Sequence, residues 1–184
     1  MGRPKALVEL DGEPLVRRGI RLLTDGGCSP VLVVVGAGAQ EVRPLCAGAL
    51  VVEAAAWSTG MGASLRAGLA ALDADVDACV VALVDQPLVS ARAVAQLRAA
   101  HAGGAAAAVA TYAGKRRNPV LLARCTWVGV TASATGDEGA RSWLRTHPEL
   151  VVPVDCTGAG SPDDLDTPAD LAAARTALLA EGSR

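Results

Sequence analysis

The sequence has 184 residues, 51% hydrophobic and 20% charged, which is enough chain and apolar content for one domain, residues 1–184, with a sizeable core. No stretch of about 18 apolar residues lacks a charged or turn-forming interruption, which excludes a transmembrane span. Its 17 basic and 19 acidic residues give a formal charge of −2, and with 2% aromatics the chain offers nucleic acid or anionic lipid neither a positive field nor a stacking surface.

In chain order, short β-branched runs alternate with segments of helical period, the pattern of an α/β fold built on a parallel sheet. Residues 13–24 put Leu15, Ile20, Leu22 and Leu23 on one helical face, and Gly26-Gly27 stops the helix. Residues 31–35 form an apolar strand expected to be buried on both faces. A short helix over 39–46 and a strand over 50–53 follow. Leu65, Leu69 and Leu72 predict a helix over 62–72, and the next strand, 79–84, ends at Asp85. Ser90 is placed to cap a helix reaching His101. Strands are expected at 107–112, 119–122 and 151–154, with helices at 137–145 and 168–180, the last with Pro168 in its first turn.

The five cysteines are widely spaced without a Cys-x-x-Cys pair, which indicates neither a disulfide framework nor a zinc site, and most sit in apolar surroundings and are expected to be buried thiols. The N-terminus lacks a signal-type apolar region, and Ala6 stands where a myristoylation signal needs Ser or Thr, so the expected setting is the cytoplasm. Gly36-Ala37-Gly38 follows a strand, but Glu41 occupies the third glycine position of a dinucleotide fingerprint. Gly114-Lys115 lacks the Ser or Thr of a phosphate loop, and Ser64 lacks the second glycine of a nucleophile elbow.

Asp85, in Leu83-Val84-Asp85-Gln86-Pro87, lies just past a strand's carboxyl end, where open α/β sheets bind ligands. It is suited to holding a divalent metal against phosphate oxygens, or to a plain turn before Pro87. Asp163, Asp164, Asp166 and Asp170 precede the last helix; Asp166 or Thr167 can cap it, and the remaining acids call for a cation nearby. Lys5 is one of only two lysines, a compact charge fit for a phosphate or simply solvated. The loop 57–64, with Gly60, Met61 and Ser64, leads into a helix whose N–H groups can receive an anion or a base edge, or is an ordinary Ser-capped start. Arg141, one turn into its helix, can meet a phosphate.

Taken in order, these segments resemble the MobA-like nucleotidyltransferases, most closely the molybdenum cofactor cytidylyltransferase branch. The likeness rests on Met1-Gly2-Arg3-Pro4-Lys5, Leu10-Asp11-Gly12-Glu13-Pro14, Trp57 with Gly60-Met61 and Ser64-Leu65, Asp85-Gln86-Pro87, Gly136 to Arg141, and Asp164 to Asp170. It implies a Rossmann-like three-layer sandwich of the nucleotide-diphospho-sugar transferase type, with a mostly parallel sheet. The implied reaction transfers CMP from CTP, with magnesium, to the terminal phosphate of molybdopterin and releases pyrophosphate. The implied catalytic residues are Lys5 and Asp85, the metal ligands Asp85 and Asp166, and the nucleotide or acceptor contacts Gly60, Met61, Ser64, Gln86 and Arg141. A molybdoenzyme or its chaperone is the implied protein partner, with no nucleic acid and no membrane.

The family's pattern opens with a central strand and a Leu-Ala-Ala-Gly-x-x-x-Arg phosphate loop, and this sequence starts at what resembles the Met just after that Arg. A sheet lacking about 15 to 20 residues of strand and loop is therefore expected, with neighbouring strand edges exposed. Ala54-Ala55 and Arg117-Asn118-Pro119 stand where the family has Asn-Pro and Gly-His-Pro. Competing expectations are an NAD(P)H-dependent oxidoreductase resembling the nicotine blue oxidoreductases on the same scaffold, and a degenerate nucleotide-binding paralogue.

Overall fold

The computed structural model describes residues 4–181. After a 3-10 turn, Lys5–Leu7, comes a hairpin of β1 (Glu9–Leu10) and β2 (Glu13–Pro14). Its turn, Asp11-Gly12, takes φ values of 52° and 74°, the left-handed pair that a two-residue hairpin requires. Helix α1 (Leu15–Asp25) follows, then strand β3 (Leu32–Val35), the single helical turn α2 (Ala39–Val42) and strand β4 (Leu50–Glu53), which pairs parallel with β3. Helix α3 (Met61–Ala70) crosses to strand β5 (Ala78–Val81), and helix α4 (Ala91–Ala102) leads to the hairpin of β6 (Ala107–Tyr112) and β7 (Lys115–Ala123). Helices α5 (Trp127–Ser133) and α6 (Arg141–Thr146), strand β8 (Val151–Asp155) and helix α7 (Pro168–Glu181) complete the chain.

The α/β three-layer expectation holds, and the sheet is mixed. In the order β5-β7-β6-β8, β6 and β8 are parallel while β7 runs against both β5 and β6. The reversal comes from Ala113-Gly114, whose φ values of 48° and 75° make a tight hairpin turn of the segment that superficially matches a phosphate loop. Side chains alternate across this sheet. Val109, Val120 and Leu122 pack with Leu69, Trp127, Val130 and Trp143 on one face, and Ala108 and Leu121 pack with Leu97 of α4 on the other. Burying these two faces is the dominant favourable term in holding the layers together.

The sheet is interrupted between β3 and β5, which belong to separate hydrogen-bonded units. Accordingly Leu32, Val33 and Val34, expected to be buried, are only partly so, as are all four residues of β5. Among the described residues, β3 pairs only with β4 and β5 only with β7.

Several boundaries shift. Strand β5 ends at Val81, so Asp85 lies four residues beyond it on a turn. Residues 137–145 split into a short 3-10 turn and α6, and Arg141 begins the helix instead of lying one turn inside it. Ser90 occupies the cap position of α4, but its hydroxyl makes no cap bond. The cysteines are all free, yet only Cys46 and Cys156 are buried, Cys125 being exposed. Among the described residues, no helix is long and apolar enough to cross a membrane.

Candidate functional site

Three segments meet beyond the carboxyl end of β5: the 3-10 turn Lys5–Leu7, the turn carrying Asp85 and Gln86, and the approach to α7. They are tied through the backbone, since the Leu165 N–H donates to the Asp85 carbonyl at 2.8 Å. Side chains add a second tie. Gln86, 5% exposed, donates from Nε2 to Asp164 Oδ1 at 2.9 Å. Lys5 Nζ then bridges Asp85 Oδ2, at 3.0 Å, and Asp166 Oδ1.

The acidic cluster is thus partitioned among donors, and among the described residues only Asp166 of its members pairs with a cation. Asp166 takes Lys5, Asp164 takes Gln86, and Asp163 accepts from the Ser161 hydroxyl. Asp170 accepts from the Asp166 and Thr167 N–H groups at 3.0 and 2.7 Å, while Thr167 Oγ1 accepts from the Asp170 N–H. That reciprocal box, with Pro168 in the first helical position, makes Thr167 the cap of α7 and leaves Asp166 free to face Lys5. These bonds from Thr167 hold the Asp170 carboxyl below its usual range.

Burial by itself lowers the Lys5 ammonium's pKa, but hydrogen bonds and charge from Asp166 and Asp85 outweigh it, so the net shift is upward. A cation is therefore favoured between the two carboxylates. Among the described residues, no three His, Cys, Asp or Glu side chains gather as a ligand set. Two carboxylates nevertheless fit magnesium or manganese where phosphate oxygens and water complete the shell.

Gly60, Met61 and Ser64 lie at the start of α3. Gly60, with φ 111°, caps the helix, and a Cβ there would sit 2.4 Å from the Gly136 carbonyl; one on Gly62 would sit 2.6 Å from the Ala134 oxygen. The loop is pressed onto the 134–137 turn, and the Met61 N–H donates to Asp137 Oδ1 at 3.3 Å. A carboxylate of the chain thus occupies the first N–H of a helix start that the sequence reads either as a receiver of an anion or base edge or as an ordinary start. Ser64 is inside the helix and is not its cap. Trp57, 46% exposed, packs its Cβ where a side chain on Gly36 would stand.

Met61, Ser64, Gln86 and Arg141 line one cavity of about 1700 Å³, and Lys5, Asp85 and Asp166 lie beside it. Arg141 is exposed there and makes no contact with the Lys5 cluster among the described residues. Arg116, Arg117 and Asn118 line the same cavity. The sequence signals two of them, Arg117 and Asn118, only as a departure from the family's Gly-His-Pro, and the basic run 115–117 reads equally well as a solvated strand end. Part of the N-terminal motif, Met1 to Arg3, lies outside the described residues.

The model of the MobA-like NTP transferase domain matches residues 1–151. Nicotine blue oxidoreductase of Paenarthrobacter nicotinovorans is 36% identical over 180 residues, covering 91% of this chain and 86% of the relative. The structure of an Rv0371c homolog from Mycobacterium sp. strain JC1 superposes with a TM-score of 0.82 at 27% identity, covering 97% of this chain and 90% of that one. Rv0371c from Mycobacterium tuberculosis H37Rv, in complex with manganese, gives a TM-score of 0.77 at 24% identity, covering 95% and 92%. With Lys5 and two aspartates gathered at the sheet's carboxyl edge and the family's model spanning most of its length, the chain belongs to the MobA-like NTP transferase domain family.

Proposed function

We propose that the Lys5, Asp85 and Asp166 cluster binds the phosphates of a nucleoside triphosphate together with a divalent cation, and that the chain transfers the nucleotidyl group to an anionic acceptor. One observation carries this reading: two carboxylates from distant parts of the chain converge on a single ammonium at the edge where α/β sheets bind ligands. A divalent cation bound by those carboxylates would neutralise charge on the phosphate oxygens, and the manganese complex of the structural relative supports that choice.

Lys5 holds the triphosphate, and Asp85 and Asp166 fix the cation's position. An acceptor phosphate oxygen forms a bond to the α-phosphorus while the bond from that phosphorus to the bridging β-oxygen breaks, and pyrophosphate leaves with the electron pair. The acceptor is already anionic, so alignment and charge neutralisation suffice without a strong base. Met61, Ser64, Gln86 and Arg141 are proposed contacts to base or acceptor in the adjoining cavity, with Gly60 setting the loop that carries them. The resemblance of Asp85-Gln86-Pro87 to the cytidylyltransferase branch is what supports CTP, and with that branch molybdopterin as acceptor.

A second reading, an NAD(P)H-dependent oxidoreductase acting on a dye-like substrate, is favoured by the nicotine blue oxidoreductase relative, whose 36% identity supports it more directly than it supports a molybdopterin acceptor. In that reaction a hydride passes from the nicotinamide to the dye, and solvent supplies the accompanying proton. Two assays on the same preparation separate the readings. Pyrophosphate release from CTP, dependent on Mg²⁺ or Mn²⁺ and on molybdopterin and lost in Asp85→Ala, establishes the first. NADH or NADPH oxidation by the dye, indifferent to EDTA, establishes the second and overturns the first; GTP serving as well as CTP removes the base assignment.

A further inference from the structure

The sequence holds three tryptophans, one tyrosine and no phenylalanine, and the core accounts for all of these but one. Tyr112, Trp127 and Trp143 are buried; the Arg124 guanidinium lies over the Trp127 ring at 4.3 Å, and Trp143 stacks on the His147 ring at 4.6 Å. Trp57 differs on both counts. It is 46% exposed, and among the described residues no other ring and no guanidinium covers its faces. One exposed apolar side chain is ordinary on a protein surface, so exposure alone assigns it nothing.

Its mounting sets it apart. Trp57–Thr59 is a 3-10 turn beyond the carboxyl end of β4, fastened to β3 through Ala54. The Ala54 N–H donates to the Val35 carbonyl at 2.9 Å, and the Ala54 carbonyl accepts from the Trp57 N–H at 2.9 Å. Thr59 Oγ1 donates to the Ala56 carbonyl at 2.8 Å, and the Gly60 N–H donates to the Trp57 carbonyl at 3.1 Å. The indole is thereby seated on the end of β3, where a Cβ on Gly36 would lie 2.6 Å from both Cβ and Cγ of Trp57. Gly36 is outside the left-handed region, so the close approach of Trp57, and no demand of the backbone, calls for glycine there.

The same turn leads to Lys5. A Cβ on Gly38 would stand 2.6 Å from Pro4 Cγ, so Gly36-Ala37-Gly38 seats Trp57 at one end and the Pro4-Lys5 segment at the other. The match to part of a dinucleotide fingerprint thus comes from glycines that receive the chain's own side chains. The outer Cα atoms of such a turn are at most about 7 Å apart, which puts the indole and Pro4 within roughly 15 Å of each other. A ring joined to phosphates through a sugar or short chain spans a gap of that size. Met61, 41% exposed on the same loop and lining the main cavity, offers a polarizable thioether to such a ring.

We propose that Trp57 is a stacking platform for the flat heteroaromatic ring of a phosphate-bearing substrate. This rests on the reading that Lys5 meets that substrate's phosphates. Because the turn is fixed by its own hydrogen bonds, little ordering is needed to receive the ring, and stacking grips a ring's face without reading its edge. The platform supplies affinity for a flat ring from either source, nucleobase or acceptor, and leaves discrimination between bases to other residues.

Titration calorimetry with Mn²⁺ on the 184-residue chain, Trp57→Leu and Trp57→Phe tests this, using CTP, GTP, 6-hydroxymethylpterin diphosphate and ring-free tripolyphosphate. Trp57→Leu should bind ring-bearing ligands about tenfold more weakly, Trp57→Phe should recover most of that loss, and tripolyphosphate should bind all three alike. A loss confined to the nucleotides identifies the base as the stacked ring, and one confined to the pterin identifies the acceptor. Unchanged affinity for every ring-bearing ligand, or an equal loss for tripolyphosphate, would overturn the platform. Failure of tripolyphosphate to bind the unaltered chain would instead remove the phosphate reading, with the ring-bearing ligands still judging Trp57. Acrylamide quenching of the unaltered chain needs no variant: its emission should be quenched chiefly through Trp57 and shielded by whichever ring-bearing ligand binds, and quenching undiminished at saturation would also overturn the proposal.

Discussion

Lys5 Nζ lies 3.0 Å from Asp85 Oδ2, 80 positions away, and the same nitrogen reaches Asp166 near the other end of the chain. The ammonium stands where a cation between two carboxylates would stand. A divalent cation held between the two carboxylates would therefore displace Lys5 from at least one of them, freeing a donor for a phosphate. With Asp166 at 65% side-chain exposure, the pairs are worth about 1 kcal/mol or less, so Lys5→Met should shift the melting temperature little. Without nucleotide, Mn²⁺ should bind Lys5→Met more tightly than the parent, and triphosphate more weakly, by titration calorimetry. Unchanged Mn²⁺ affinity would show that Lys5 and the metal do not compete.

Asp85→Asn and Asp166→Asn should each weaken Mn²⁺ binding, because each removes one of the two carboxylates facing that position. Asp85, 23% exposed in its side chain, should be the more costly loss, lowering turnover on the order of 100-fold. Paramagnetic resonance of free Mn²⁺ reads the affinity separately from any assay of turnover. Equal retention of metal by both variants would remove these residues from the metal site.

The alkaline limb of stability should carry the same signature. Lys5's folded pKa is raised, so its contribution is fully present below the unfolded value near 10.5 and is lost as pH rises through the folded value. Burial pushes Tyr112 and Cys79 both up to about 12, so their contributions begin to fall at lower pH, from about 10 and about 9 respectively. The difference between the parent and Lys5→Met isolates the lysine. Urea midpoints should draw together above about pH 10.5 and stay separated by a constant amount from there down to neutral pH; no narrowing above pH 10.5 would contradict the ion pair.

The elements with strong periodicity are legible in the sequence: 107–112 is the observed β6, and the last helix starts at Pro168 as expected. What escapes it depends on contacts between distant segments. Nothing local distinguishes Asp164 from Asp166, yet Gln86 takes one and Lys5 the other. The α3 N-terminus reads as open because its occupant, Asp137, lies 76 residues away. Trp127–Ser133 does not read as a helix because its β-branched residues and Gly129 have low propensity, and tertiary burial of Trp127 and Val130 outweighs that. The half-exposed β3 defies its all-apolar composition because burial also requires a neighbour on each edge.

The loop that carries Met61 should be the part of the site least tolerant of a methyl group. At Gly60 an alanine would need φ near 111° and would place Cβ 2.4 Å from the Gly136 carbonyl, so backbone strain and a backbone clash add. At Gly62 the clash remains, 2.6 Å from the Ala134 oxygen, but φ is ordinary. At Gly48, φ is 85° and nothing lies within 4 Å, leaving strain alone. Strain of this kind costs about 1–3 kcal/mol, and overpacking a similar amount. Urea denaturation should therefore rank Gly60→Ala as most destabilising, with Gly48→Ala and Gly62→Ala each smaller, and only the Gly60 and Gly62 variants should disturb the Met61 N–H bond to Asp137. Exchange of the Met61 amide reports that bond directly, and an unchanged rate in Gly60→Ala would show that the loop is not held by the 134–137 turn.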